Sequence, residues 1–290
     1  MDLQPKGLRL SVTCDMFRGE DIRLPIDTPS DPRPLPRRKY SPDEALALAR
    51  ERGYQAFELF DWRDPIEWNG YLAAKRKCGL ACVCIEANKG VRAPGCGLTS
   101  PAEREGFLEV LLTAIEAGKK IGTEMLVVLT GFEREGLSRK QQKDSCVEGL
   151  RAAAPLLERA GMTAVIEPIN TRVTRPGYFL SSASEGFDIL HRVDSPNVKL
   201  LFDIYHVQVM EGNLIPLIRD NIAWIGNFHI GDHPGRMQPG TGEINYRNVL
   251  HAIYELQLAR KYSGYAALEY HPSVPLPQTM TEVRQLANFG

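Results

Sequence analysis

Four short segments of this chain share one pattern: an apolar run meets a single metal-competent side chain near its C-terminal end. They are AVIEPIN with Glu167, LLFDIYH with Asp203, GNFHIGD with His229 and AALEYH with Glu269. An acid or imidazole behind apolar residues is costly to bury unless something compensates it. Three carboxylates and one ring nitrogen brought together would find that compensation in one divalent cation. The donor set suits Mn²⁺, Mg²⁺, Co²⁺ or Fe²⁺ better than thiolate-type zinc chemistry. An octahedral ion so held keeps open positions for two adjacent oxygens of an α-hydroxycarbonyl compound. Chelation there would polarise the carbonyl, acidify the neighbouring C–H and stabilise the enediolate that forms. Such chemistry needs a base to remove a proton and an acid to return one. Glu167 and Glu269 are the pair placed to do both, each spending one oxygen on the ion and the other on the substrate.

Taken singly, each residue has a plainer reading. Glu167 alone reads as a buried carboxylate paired with Arg172, and His229 alone as a hydrogen-bonded core histidine. Their recurrence at four successive strand ends favours a shared site. Around them, His206 follows Asp203 by three residues and either holds a substrate oxygen or braces Asp203. Arg236, in the turn HPGRMQPGTGE, either binds a substrate carboxylate or hydroxyl or is a surface arginine. Glu243 is placed equally well for a substrate or for capping the helix that follows. Asn170 and Arg172 continue the fifth loop and are placed to position Glu167, and His233 and His271 are supporting or peripheral.

The elements that must position these residues alternate along the chain. Apolar, β-branched runs predict strands at 8–14, 56–61, 81–87, 125–130, 163–168, 198–204, 224–230 and 265–270. Between them lie helices. Ser41-Pro42-Asp43-Glu44 and Ser100-Pro101-Ala102-Glu103 are start signals, and Ser138 begins another helix. Gly53, Gly122 and Gly161 stand where these three helices should stop. Further helices fit 67–78, 184–193, 214–221, 246–259 and 278–288. Eight strand–helix repeats predict an α/β protein, a single (β/α)₈ TIM barrel over residues 1–290. In such a barrel all strand ends open on one face, where the four candidate ligands would meet. The competing open sheet would show a glycine-rich phosphate loop after an early strand, and DMFRGEDIR is none. A proline-dense stretch, 24–38, interrupts the rhythm after strand one; it reads either as a flap over the site or as a solvated insertion.

Composition narrows the function further. The chain has 290 residues, is 43% hydrophobic and carries a net charge of −1, so no basic face invites nucleic acid. Its six cysteines form no CxxC pair and read as reduced thiols. No signal-peptide core or membrane-length apolar run is present, and a cytoplasmic protein is expected.

At these same residues the chain resembles a known family. IEPINTR, FDIYHVQ, GDHPGRMQPGTGEINY and ALEY are similar to segments of hydroxypyruvate isomerases, within the xylose isomerase-like TIM-barrel superfamily that also holds ketose 3-epimerases. The resemblance is specific over 165–270 and weak before residue 53. It implies Glu167 and Glu269 as paired acid–base metal ligands, Asp203 as a further ligand, and His206 and Arg236 as substrate contacts. It also implies one Mn²⁺, Mg²⁺ or Co²⁺ ion, a small substrate such as hydroxypyruvate or a small ketose, and a homodimer or homotetramer. One departure stands out: hydroxypyruvate isomerases place Gln in the third ligand position, whereas His229 matches the ketose 3-epimerases. The expected activity is therefore a metal-dependent isomerase of hydroxypyruvate or a related sugar acid, with ketose 3-epimerase as the alternative. A metal-dependent endonuclease would want more than six histidines and a basic face. A non-catalytic sugar-binding barrel would have no use for both glutamates.

Overall fold

A computed structural model describes residues 7–18, 39–88 and 95–290. The proline-dense stretch 24–38 lies outside the described residues. All eight predicted strands form: β1 Leu10–Thr13, β2 Ala56–Leu59, β3 Ala81–Glu86, β4 Met125–Val128, β5 Thr163–Ile166, β6 Val198–Asp203, β7 Ile225–Ile230 and β8 Ala266–Leu268. Each pairs in parallel with the next, and β8 closes on β1 through Leu10↔Ala266 and Val12↔Leu268. Strand residues are buried almost without interruption, because helices cover the outside and side chains fill the inside.

The helices begin and end for local reasons. Helix α1 (Pro42–Glu51) and α4 (Arg139–Ala160) open with capping boxes, Ser41 with Glu44 and Ser138 with Gln141. Helix α2 (Pro65–Cys78) is capped by Asp64, whose carboxylate accepts from the N–H groups of Ile66 and Glu67. Before α3 (Arg104–Ile121), the Ser-Pro signal at Ser100 starts a short 3₁₀ turn rather than the helix itself. Helices α5 (Ala183–Val193), α7 (Leu214–Asn221), α8 (Tyr246–Leu258) and α9 (Leu276–Leu286) follow the expected rhythm to within two residues at each end. One helix was not expected. Helix α6 (Ile204–Met210) starts directly where β6 ends, because Asp203 serves as its N-cap.

The strands are shorter than their apolar runs at the ends that matter. Pro168 has no N–H to give the ladder, and β5 stops at Ile166, so Glu167 is the first residue beyond it. Likewise β8 ends at Leu268 and Glu269 stands just past it. Side chains that leave the ladder here turn into the mouth of the barrel. All six cysteines are free thiols. Among the described residues no helix is long and apolar enough to cross a membrane.

Closure is tight at Gly226 on β7, where a Cβ would sit 2.6 Å from Val165 Cγ1 and 3.4 Å from Lys199 Cβ. Valine at that contact has few rotamers with which to retreat. Gly226→Ala should therefore destabilise the fold by about 1–3 kcal/mol, measured as a lower urea midpoint at unchanged m-value.

Candidate metal centre

The four candidate ligands converge. Glu167 and Glu269 stand just beyond β5 and β8, and Asp203 and His229 pair in register across β6 and β7. One ligand-competent atom from each lies within 4.8 Å of the other three. Register explains the meeting: neighbouring parallel strands deliver the same level of the barrel to the same face.

Local structure then decides which atoms point inward. Asp203 Oδ1 accepts the backbone N–H of His206 at 3.1 Å, the first-turn bond of α6, which leaves Oδ2 for the site. His229 Nε2 lies 2.9 Å from Glu58 Oε2. Its Nδ1 lies 2.7 Å from Glu269 Oε2 and 3.9 Å from Glu167 Oε1. That nitrogen is buried and makes no contact of hydrogen-bond geometry. A buried ring nitrogen left without a hydrogen bond among carboxylate oxygens is what a shared cation would complete. Three carboxylates with one imidazole fit a hard or borderline divalent ion, and these residues fit the group the sequence implied.

Arg236 is no surface arginine; it is 7% exposed. Its Nη2 donates to Asp203 Oδ2 at 2.8 Å and to Glu269 Oε2 at 2.7 Å, and its guanidinium lies 5.2 Å from the centre of the Tyr205 ring. The loop that carries it is organised by Asp232, a fully buried residue that sequence reasoning passed over. Asp232 Oδ1 accepts from the N–H groups of His233 and Ile244 at 2.9 and 3.2 Å, and Oδ2 from Gly240 and Gly242 at 2.8 and 3.0 Å. A Cβ on Gly242 would meet the His233 carbonyl oxygen at 2.1 Å, so this turn requires glycine. An aspartate opening a Gly- and Pro-dense segment was the available signal.

The remaining expectations divide. His206 is buried against the site, with Nε2 3.5 Å from Asp203 Oδ2 and Nδ1 2.7 Å from Asn170 Nδ2. Asn170 holds His206 and its own loop rather than Glu167; its Oδ1 accepts from the N–H groups of Val173 and Thr174, each at 3.0 Å. Arg172 does not pair with Glu167 but donates to the Val209 carbonyl at 3.0 Å. Nor does Glu243 cap α8. Asn245 does so, accepting from Asn248, while Glu243 takes a hydrogen bond from Gln208 at 3.1 Å. His233 packs against the Tyr205 ring, and the His271 N–H donates to the Arg236 carbonyl at 2.7 Å, tying that loop to the exit of β8.

The family described as xylose isomerase-like TIM barrel matches residues 46–288. The chain belongs to this family. It is 32% identical over 236 residues to a putative hydroxypyruvate isomerase of Danio rerio, covering 79% of this chain and 84% of that protein. To a 2-oxo-tetronate isomerase of Cupriavidus necator it is 33% identical over 233 residues, covering 79% and 86%. The crystal structure of an AP endonuclease, family 2, from Brucella melitensis shares the fold, with a TM-score of 0.77 at 24% identity over 96% of this chain and 98% of that one. Within the xylose isomerase-like family the chain is an enzyme of isomerase type.

Crowding of charge sets the electrostatics of this isomerase. Burial pushes the Glu167 carboxyl up to about 8, and the neighbouring Glu269 charge adds to the rise. For Glu269 burial acts the same way, but Arg236 and His229 outweigh it and hold the carboxyl well below its usual range. Burial would lower His229, yet Glu269 and Glu58 lift it well above the ordinary imidazole value. Burial brings His206 down to about 3. Without a cation, then, Glu167 and His229 both hold a proton more tightly than they would in water. Such protons must leave before either group can act as a ligand.

The signs follow. A raised carboxyl stabilises the metal-free fold below its unfolded value near 4.5, and that stability is lost as pH rises toward about 8. His229, also raised, contributes in full below about 6.5 and loses its contribution above. The opposing gains from His206 and His271, lowered to about 3 and about 4, are complete by about 6.5. The metal-free protein should therefore lose stability between pH 6.5 and 8 in chemical denaturation. Divalent-ion affinity should rise over the same window, with about two protons released per ion in calorimetry across buffers of different ionisation enthalpy.

Proposed function

We propose that this chain is a divalent-metal-dependent isomerase of hydroxypyruvate or a closely related 2-oxo sugar acid, working through a cis-enediolate. The observation that carries the reading is the convergence of Glu167, Asp203, His229 and Glu269 within 4.8 Å, with buried Arg236 beside them. The names of its relatives, hydroxypyruvate isomerase and 2-oxo-tetronate isomerase, support the substrate class. Mn²⁺, Mg²⁺ or Co²⁺ suits the donor set. When bound, such an ion polarises the carbonyl and spreads the negative charge that develops on two adjacent substrate oxygens.

The chain's own groups do the rest. Arg236 supplies a permanent cation for the substrate carboxylate and holds Asp203 and Glu269 in place. His206 offers Nε2 to a substrate hydroxyl, its ring fixed from behind by Asn170. One glutamate removes a proton from the hydroxyl-bearing carbon while the other takes the hydroxyl proton, giving the enediolate. The second then delivers its proton to the former carbonyl carbon and the first returns its own to the former carbonyl oxygen, so that both glutamates end ionised as they began. The double bond thus moves from one carbon–oxygen pair to the next with no net gain or loss of atoms. Glu167 and Glu269, just beyond β5 and β8, would approach the flat intermediate from different sides of the mouth.

His229 in the third ligand position favours one second reading, 3-epimerisation of a small ketose. Deuterium from solvent separates the two: it appears at the former carbonyl carbon of an aldehyde product in the first case and at C3 of a ketose in the second. A panel of hydroxypyruvate, 2-oxo-tetronate and small ketoses, each with Mn²⁺, Mg²⁺ or Co²⁺, tests the reading directly. Turnover confined to ketoses would replace the first proposal with the second. Glu167→Gln and Glu269→Gln should each lower kcat by about 10²–10⁴-fold with the far-ultraviolet circular dichroism unchanged. Near-wild-type rates in either variant would remove the two-glutamate mechanism.

A further inference from the structure

Beside the candidate ligands the barrel holds another buried carboxylate, and the mechanism above makes no use of it. Glu58 on β2 is fully buried. Both of its oxygens are engaged. Oε1 accepts from Asn227 Nδ2 at 2.8 Å and from Ser11 Oγ at 3.3 Å. Oε2 lies 2.9 Å from His229 Nε2 and 3.1 Å from Cys84 Sγ. Asn227 and His229 are two residues apart on β7, so both face the lumen and both reach the same carboxylate. An amide NH₂ can only donate, so Oε1 is held as an acceptor. The hydroxyl and the thiol have no fixed role, but each has a proton to give.

A fold staple alone would not need to choose a ring nitrogen of His229. This arrangement does choose. It pairs Nε2 with Glu58 in hydrogen-bond geometry and leaves Nδ1, 2.7 Å from Glu269 Oε2 but outside that geometry, facing the oxygens of Glu269 and Glu167. We propose that Glu58 is the positioning residue of the metal centre: it locks the His229 ring and its tautomer so that Nδ1 is the ligating nitrogen, and it lends that nitrogen the donor strength of a carboxylate-paired imidazole. The inference rests on the reading that the four converging groups hold a divalent ion. It extends the site by a layer, so that the third ligand is a carboxylate–histidine pair rather than a histidine alone.

The wild-type protein supplies the first measurement. In zinc-loaded protein labelled with ¹⁵N-histidine, His229 should show a metal-bound Nδ1 and a protonated, exchange-protected Nε2. A metal-bound Nε2 would overturn the proposal. Glu58→Gln keeps the shape and one acceptor oxygen but removes the charge. It should weaken Mn²⁺ binding about 10–100-fold in a chelator competition at fixed pH and move the Nε2–H resonance upfield. Ser11→Ala touches the same carboxylate but not His229, and should hold Mn²⁺ to within about twofold of wild type. Wild-type Mn²⁺ affinity in a folded Glu58→Gln variant would sink this inference and leave the metal reading standing. A folded wild type that takes up no divalent ion would sink both.

Discussion

Four carboxylates share one buried barrel mouth, and that constraint governs the rest of the molecule. Glu58, Glu167 and Asp203 are buried and Glu269 is half-buried, with Arg236 and His229 beside them. Crowding raises the Glu167 carboxyl and the His229 ring above their ordinary values, so both hold protons tightly. A divalent ion would displace such protons and take over their compensating charge, so the same acids are tolerated with protons or with a cation.

Holding that arrangement requires rigid support on every side, which comes from backbone groups and buried anions rather than from long exposed side chains. Asp203 is anchored by the N-terminus of α6, where the helix dipole also favours its charge. Asp232 gathers four N–H groups of the loop that carries Arg236, and His271 ties the same loop to the exit of β8. Gly231 permits the close approach: a Cβ there would lie 3.0 Å from the Glu269 carbonyl oxygen and 3.2 Å from Arg236 Cγ. Each support restrains one of the charged groups, as chelation or proton transfer at this site would demand.

Much of this was legible in the sequence because a parallel barrel repeats a strong signal. Eight apolar runs, separated by Ser-Pro starts and glycine stops, could hardly be read otherwise, and the strands fall inside all eight. The four candidate ligands were legible because each breaks an apolar run at the same position. What was missed has a common cause. Glu58 sits in FELF, where an acid between two apolar residues reads as the outward side of an alternating strand, yet the barrel turns it inward. Asp232 acts through backbone groups as far along the chain as Ile244, and only the Gly- and Pro-dense segment behind it signals that role. Helix α6 is hidden in the sequence because its N-cap, Asp203, also reads as a strand-end ligand; one oxygen caps the helix and the other faces the site. Of the two equal readings of Glu243 capping fails, because Asn245 stands closer to the helix start and takes the cap.

The choice between moving a carbonyl and inverting a neighbouring carbon does not depend on this charged frame, which serves either outcome. Both begin with a proton removed beside a carbonyl and pass through the same planar intermediate. They differ in which carbon receives the proton and from which side. That is decided by where the substrate's remaining atoms are held, and therefore by groups outside the four converging ligands. Arg236 is the strongest such group within reach: a buried, permanently charged fork already committed to Asp203 and Glu269. A guanidinium in that position rewards a substrate with a carboxylate near its reacting carbons and gives a neutral ketose only hydrogen bonds. Burial enlarges the difference, because an anion that enters a water-poor mouth beside a fixed cation regains there part of the solvation it gives up. On the proposed reading, the side chain that would most distinguish a sugar acid from a sugar is the arginine, and a preference for a sugar acid would follow from its burial more than from the histidine in the third ligand position.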